Sequence, residues 1–276
     1  MKYTENQASK LPWTLDSIDF AGIDIERIRA NDDLMCLLCA SAFVESGSDL
    51  YTHNLVEHYA DNPEAQAWLR DHWEHEELQH GRALATYVRH VWPDFDWDAA
   101  FGSFFDAYSA MCTSEELEDS RCLEMAARCV VETGTATLYR AIHEHTDEPV
   151  LKQLTRHIKS DEVRHYSHFY HYFQGYQATR RQGRMKILRT LYKRLREIGN
   201  EDGDIALRHV FKFRHPEYLV DEATFRRASN RVYAFVRHNL PTRMAVKMLL
   251  KPLDLPPRIN SGLQRPLTWA INRFAL

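Results

Sequence analysis

One device occurs twice in this chain, and it limits the possible folds more than any other feature. Glu45 lies in Val44-Glu45-Ser46-Gly47-Ser48, and Glu76-Glu77-Leu78-Gln79-His80 follows, with Glu77 32 residues after Glu45. Glu132 lies in Val131-Glu132-Thr133-Gly134-Thr135, and Asp161-Glu162-Val163-Arg164-His165 follows, with Glu162 30 residues after Glu132. Each copy supplies a lone Glu, a small residue and Gly, and later a Glu-x-x-His preceded by an acid. With 15 His in 276 residues, about one Glu-x-x-His arises by accident, so the motif alone carries little weight. Its order, equal spacing and repeated flanking residues carry the argument.

A Glu and a His three residues apart share one face of a helix. Two such motifs and two lone Glu place four carboxylates and two imidazoles on four helical segments. That is the donor set of a carboxylate-bridged di-metal site inside a four-helix bundle. Oxygen donors suit a hard cation and imidazoles a softer one, so two iron ions per chain (Fe2+/Fe3+) are expected; Mn or Zn can take the same ligands. The expected ligands are Glu45, Glu77, His80, Glu132, Glu162 and His165. Two divalent ions against four carboxylates make a neutral cluster, which removes most of the cost of burial. Glu77 and Glu162 would bridge the ions, and Glu45 and Glu132 would each bind one at the side. Glu76 and Asp161 are placed to accept hydrogen bonds from the histidines. Glu45 and Glu132 follow Ala42-Phe43-Val44 and Cys129-Val130-Val131, apolar contexts in which an unpartnered acid is costly. Gly47, Ser48, Gly81, Gly134 and Thr135 are small residues beside the ligands. Gly47, Ser48 and Gly134 are candidates to line a substrate channel; close helix packing explains the glycines equally well.

The chain reads as all-α, since no stretch alternates as a strand does. Residues 1–30 form an irregular lead-in. A first helix is expected from Asn31 to about Ala60. Asn62 caps a second, with Pro63 at its first position, that ends before Pro93. A shorter helix from Trp97 to about Met111 makes the crossover. Thr113 and Glu116 read as a capping box for the third long helix, to about His145. Pro149 opens the fourth, to about Gln177. All six ligands then fall near mid-helix in a domain over 31–177. Residues 178–276 are an appended basic helical region, with segments from Arg184 to Ile198, Asp221 to Asn239 and Met244 to Leu250.

Charge divides the chain at the same place. Residues 1–176 hold 14 Lys/Arg against 31 Asp/Glu, and residues 177–276 hold 21 against 8. A basic region of this kind suits an acidic partner or an anionic surface, or packs on the acidic part of its own chain. Arg180, Arg181, Arg184, Lys186, Arg189, Lys193, Arg194 and Arg196 are its densest stretch and the expected docking site. Lys and Arg are spread along helices without a nucleic-acid motif, so nucleic acid is not expected. Leu267-Thr268-Trp269-Ala270 among arginines keeps peripheral membrane contact open. The start carries no signal peptide, the apolar runs are read as too short to span a membrane, and five Cys show no framework spacing. A cytoplasmic protein with reduced thiols is expected, and a place at the membrane periphery stays open. Cys36 and Cys39 read as buried core thiols, and a homodimer stays open.

Trp73-Glu74-His75-Glu76-Glu77-Leu78-Gln79-His80-Gly81 resembles the first Glu-x-x-His segment of the soluble acyl-acyl-carrier-protein desaturases, including the Trp and the trailing Gly. Asp161-Glu162-Val163-Arg164-His165 is similar to their second. The resemblance covers residues 31–176 and implies the ferritin-like di-iron carboxylate superfamily. Aldehyde-deformylating oxygenases, rubrerythrins and hydroxylases share its ligands. It implies O2 activation to desaturate or hydroxylate an apolar, fatty-acyl type of substrate. Thr135, three residues after Glu132, matches a family threonine near the oxygen-binding side, which implies a catalytic role. Electrons would come from an external ferredoxin-like donor, since the chain has neither a ferredoxin-type cysteine cluster nor a Gly-rich nucleotide loop. An acidic acyl-carrier protein is then an expected partner for the basic region. The alternative is a ferritin- or rubrerythrin-like iron-handling protein without an organic substrate.

Overall fold

Side-chain caps and prolines set most helix starts in the computed structural model, which describes residues 11–198 and 202–274. The Asn31 side chain accepts from the Leu34 amide and opens α2 (Asp32–Ser46), after the single turn α1 (Ile25–Ile28). Helix α3 (Ser48–His58) follows after Gly47. Asn62 accepts from the Ala65 amide, with Pro63 first in α4 (Pro63–Trp68). A π-helical turn (Leu69–Trp73) joins α4 to α5 (Glu74–Val91). Asp96 caps α6 (Trp97–Ser109), and α7 (Arg121–His145) follows. The Glu148 carboxylate accepts from the Val150 and Leu151 amides at the start of α8 (Pro149–Thr179). These are the ordinary remedies for orphan amides at helix N-termini. The remaining helices are α9 (Arg184–Ile198), α10 (Asp202–Arg214), α11 (Glu222–Asn239), α12 (Thr242–Leu250) and α13 (Pro257–Phe274). Among the described residues there is no strand.

The four helices that carry the repeated device pack together: α2 against α5, α7 against α8, and α5 against α8 between the pairs. Gly81 fixes the α2–α5 approach. A Cβ added there would lie 2.3 Å from Ser46 Oγ and 2.6 Å from its amide nitrogen. Two apolar clusters fill the space around the device. One contains Met35, Phe43, Tyr87 and Phe104, and the other Leu69, Trp73, Met125 and Phe169.

Several expectations differ from the structure. The helix expected over Asn31–Ala60 is two helices, because the chain turns at Gly47, where an added Cβ would lie 3.3 Å from the Tyr108 ring. The second helix contains the π turn. The Thr113–Glu116 capping box does not open α7: Thr113 makes no side-chain cap, Ser114–Glu116 is a 3-10 turn, and α7 begins at Arg121. Instead the Glu118 amide donates to the Glu124 carboxylate, so loop and helix are tied within α7. Asp32–His58 is long and apolar enough to cross a membrane by composition, with mean hydropathy 1.2 in its best window. This corrects the reading that every apolar run is too short. Two-thirds of that window is buried (67%), and it carries Glu45, so its apolarity serves the core.

Residues 1–10 of the expected lead-in lie outside the described residues. Its described part docks on the helices, with Trp13, Ile18, Ile23 and Ile28 buried. The C-terminal half covers the outside: α10 packs on α2, and α9 and α12 on α7. Helices α10 and α13 are additional to the segments expected there. Opposite charges meet across this contact. Arg214 reaches Asp32 at 3.2 Å, Arg231 reaches Asp33 at 2.8 Å, and Lys193 reaches Glu118 at 3.3 Å.

Candidate metal centre

All six expected ligands point into one space between α2, α5, α7 and α8, and none is more than 5% exposed. Glu45 comes from α2, Glu77 and His80 from α5, Glu132 from α7, and Glu162 and His165 from α8. One donor atom from each of Glu45, Glu77, His80 and Glu162 lies within 4.8 Å of the others. The same holds for Glu77, Glu132, Glu162 and His165. The two groups share Glu77 and Glu162, the two residues expected to bridge. These buried clusters could hold metal ions.

The inward atoms have no other use. Glu45 Oε2, Glu77 Oε1, His80 Nδ1, Glu132 Oε2, Glu162 Oε1 and His165 Nδ1 are buried without a hydrogen-bond partner. Some lie close together: His80 Nδ1 is 3.2 Å from Glu162 Oε1, and His165 Nδ1 is 3.0 Å from Glu77 Oε1. These are electrostatic contacts without hydrogen-bond alignment. Buried polar atoms are nearly always satisfied, and six of the exceptions, one per expected ligand, converge on a space that could hold metal ions.

The outward atoms are satisfied. His80 Nε2 lies 3.0 Å from Asp161 Oδ2, and His165 Nε2 lies 2.6 Å from Glu76 Oε2. The acceptors are exchanged between the two copies: the acid on α8 holds the histidine on α5, and the acid on α5 holds the histidine on α8. With each Nε2–H directed at a carboxylate, the Nδ1 lone pair faces the centre. Arg164 donates to both acids, to Glu76 at 2.8 Å and to Asp161 at 2.9 Å. Trp13 donates its indole N–H to Asp161 at 2.7 Å and stacks on His157. On the other side, Tyr139 donates to Glu45 Oε1 at 2.5 Å, and Thr135 donates to Glu162 Oε2 at 2.7 Å.

Protonation follows from this arrangement. Burial lifts the Glu77 carboxyl well above its usual range, and the Glu162 and Glu45 charges add to that. Burial, with Glu162 beside it, raises Glu132 to about 8 against the pull of His165. Burial also opposes ionisation of Glu162, but His165 and His80 outweigh it and hold that carboxyl low. Burial disfavours both imidazolium ions, yet the surrounding carboxylates hold both imidazoles well above their ordinary range. Burial raises Glu76 and Asp161 too, but their histidine partners and Arg164 bring both below normal.

The other candidate residues fall in different places. Ser48 is fully buried with an unpartnered Oγ. Gly47 forms the turn against Tyr108, and the Gly134 carbonyl accepts from Thr137 at 3.0 Å. A cleft of about 510 Å³ lies between α2, α3, α6, α7, α9 and α10. It is lined by Val44 and Val131, the neighbours of Glu45 and Glu132, and by Tyr51, Tyr108 and Arg128. His72, His75, His143, His145, His157, His168 and His171 all lie outside the buried core. Cys36 and Cys39 are buried free thiols. Asp32, Cys36 and His215 also lie within ligand distance of one another, but Arg214 donates to Asp32 at 3.2 Å, which disfavours a cation.

Helical spacing puts Tyr139 on the same face as Glu132 and Thr135, but sequence reading missed its hydrogen bond to Glu45, Trp13 as a partner of Asp161, and Arg164 as the link between the outer acids. Arg164 sits inside the second Glu-x-x-His and Tyr139 one helical turn beyond Thr135, so both were within reach of helical spacing. Trp13 lies in an irregular segment 148 residues from Asp161, and no local pattern predicts that contact. Comparison of the chain with family models, with curated proteins and with solved structures returns no match.

Proposed function

We propose that the chain is a di-iron oxidoreductase of the ferritin-like kind, using O2 to desaturate or hydroxylate an apolar, fatty-acyl type of substrate. The supporting observation is the set of six buried, unpartnered donor atoms, one on each of Glu45, Glu77, His80, Glu132, Glu162 and His165. The donors fit the group: four carboxylates and two imidazoles suit two iron ions of intermediate hardness and leave a neutral cluster. Iron held there would supply the reduction of O2, with two electrons arriving from an external ferredoxin-like donor and two protons from solvent.

The chain's own residues orient and shield. Asp161 and Glu76 hold the His80 and His165 rings with Nδ1 inward. Tyr139 and Thr135 each donate to one oxygen of Glu45 and Glu162 and so orient the two carboxylates. Helices α2, α5, α7 and α8 keep bulk water away from both. Thr135 takes the catalytic role in this reading, as the hydroxyl that holds or passes a proton at Glu162 Oε2.

The cleft beside Val44 and Val131 favours an organic substrate over iron handling alone. Its walls combine apolar and aromatic side chains with Arg128, Arg194, Glu197 and Asp202. An apolar chain with a polar or acidic end suits such a lining. The test is oxygen uptake by iron-loaded, chemically reduced protein, with and without a fatty-acyl thioester. The proposal expects uptake that rises with the thioester and a product lacking two hydrogens or bearing a hydroxyl. Uptake that tracks only added iron would establish the iron-handling alternative.

A further inference from the structure

Helix α13 is amphipathic with its faces reversed. It has 18 residues, and none of its described side chains is buried. The half-exposed positions are Asn260, Gln264, Thr268, Ala270 and Ile271, three polar and two apolar. Asn272 accepts from Thr242 at 2.5 Å and ties this side to α12. Ile259, Leu263 and Leu267, four residues apart, lie exposed, as does Trp269 at 63%. A helix that turns its apolar side to water is unfavourable unless another apolar phase covers it.

Helix α9 presents a second stripe of the same kind. Ile187 and Leu191 face the protein. Met185, Leu188, Tyr192 and Leu195, spaced three, four and three, lie exposed, Met185 at 76%. Eight of the thirteen large apolar side chains exposed among the described residues lie on these two helices. The helices also start together: Arg184, first in α9, donates to the carbonyls of Leu253 and Asp254, just before Pro257 opens α13.

Charge identifies the covering phase. Helix α9 carries six Lys/Arg and one Glu, and α13 carries three Arg and no acid. Lys193 and Arg194 pair with Glu118 and Glu124. Lys186, Arg189, Arg258 and Arg265 form no ion pair among the described residues. A second copy docking through this face would set like charges against each other, while anionic headgroups would compensate them. We propose that α9 and α13 form a platform that lies in the interface of an anionic lipid bilayer, with their apolar stripes among the acyl chains and their arginines at the headgroups. The platform does not depend on metal, so its failure and that of the di-iron reading are separable. If both hold, the platform would bring the cleft to a surface that carries long-chain substrates.

The test is co-sedimentation of the full chain with phosphatidylcholine vesicles and with vesicles holding about 30% phosphatidylglycerol. Binding is expected to the anionic vesicles only, and weaker at high salt. Arg189→Gln with Arg265→Gln should weaken it roughly thirtyfold. Leu263→Glu with Leu267→Glu should abolish it while helicity and melting stay unchanged, since both side chains are exposed. Any of three results overturns the proposal. The wild type binds neither vesicle at low salt. The leucine variant binds as well as the wild type. Or the leucine substitutions split a wild-type dimer, or release an acidic carrier protein, while vesicles stay unbound.

Discussion

Thr135 shows how one hydroxyl separates two roles. A helical threonine usually returns its proton to a carbonyl one turn back. Here the Val131 and Glu132 carbonyls lie at 3.4 and 3.3 Å, whereas Glu162 Oε2 lies at 2.7 Å. The single hydroxyl proton therefore goes to the carboxylate. Thr135→Val removes that proton and little volume. The expected outcome is unchanged iron content with oxygen uptake no longer matched by substrate oxidation, read as the ratio of oxygen consumed to product formed. An unchanged ratio would return Thr135 to a structural role. The same reasoning explains why the convergence of six side chains was legible in the sequence. Glu45, Glu77, His80, Glu132, Glu162 and His165 needed only helical spacing and repetition. Trp13, which completes the Asp161 arrangement, needed the tertiary fold.

Among the elements, α2 and α5 owe their separation to one glycine. The missing Cβ of Gly81 leaves room for the Ser46 backbone, which approaches to 2.6 Å of the added position. A backbone atom cannot swing away as a side chain can. Gly81→Ala should therefore destabilise the fold by about 1–3 kcal/mol, measured by urea unfolding of the metal-free protein. Stability equal to the wild type would show that the helices separate at no cost. The sequence placed Gly81 beside a ligand but could not distinguish a channel from close packing, because both need a small residue. The turn at Gly47 was hidden for a related reason. There the chain packs close to the Tyr108 ring of α6, a contact that makes no local signal. The capping box at Thr113 shows the reverse failure, a local pattern overruled by the Glu118–Glu124 contact.

At the scale of the molecule, the acidic and basic halves of the sequence partly neutralise each other. Glu124 on α7 is fully buried between Arg128, at 2.7 Å, and Arg194 of α9, at 3.7 Å. Burial opposes its ionisation, but the two guanidinium groups outweigh this and hold its carboxyl below the usual 4.5. A carboxyl lowered in the folded state adds stability above its unfolded value, and that stability is lost as pH falls through the folded value. Glu124→Gln leaves Arg128 buried without its counter-ion and should cost about 3–5 kcal/mol at neutral pH. The difference from the wild type should shrink as pH falls below about 4.5. A constant difference across that range, in parallel urea titrations, would mean that packing rather than charge is lost. The charge asymmetry was plain in the sequence. Which cations pair within the chain and which remain at the surface was not, because that depends on how α9 and α10 pack on α7 and α2.

The proposed function requires the buried Glu and His cluster to hold two metal ions. The most direct test is anaerobic titration of the metal-free protein with Fe2+, followed by iron analysis of the desalted complex. Wild type should reach a stoichiometry of about two per chain, as expected for a carboxylate-bridged pair. Glu77→Ala and Glu162→Ala should each lose most of the iron, since both residues belong to both ligand groups. Two irons retained in both variants, or none bound by the wild type, would contradict the account.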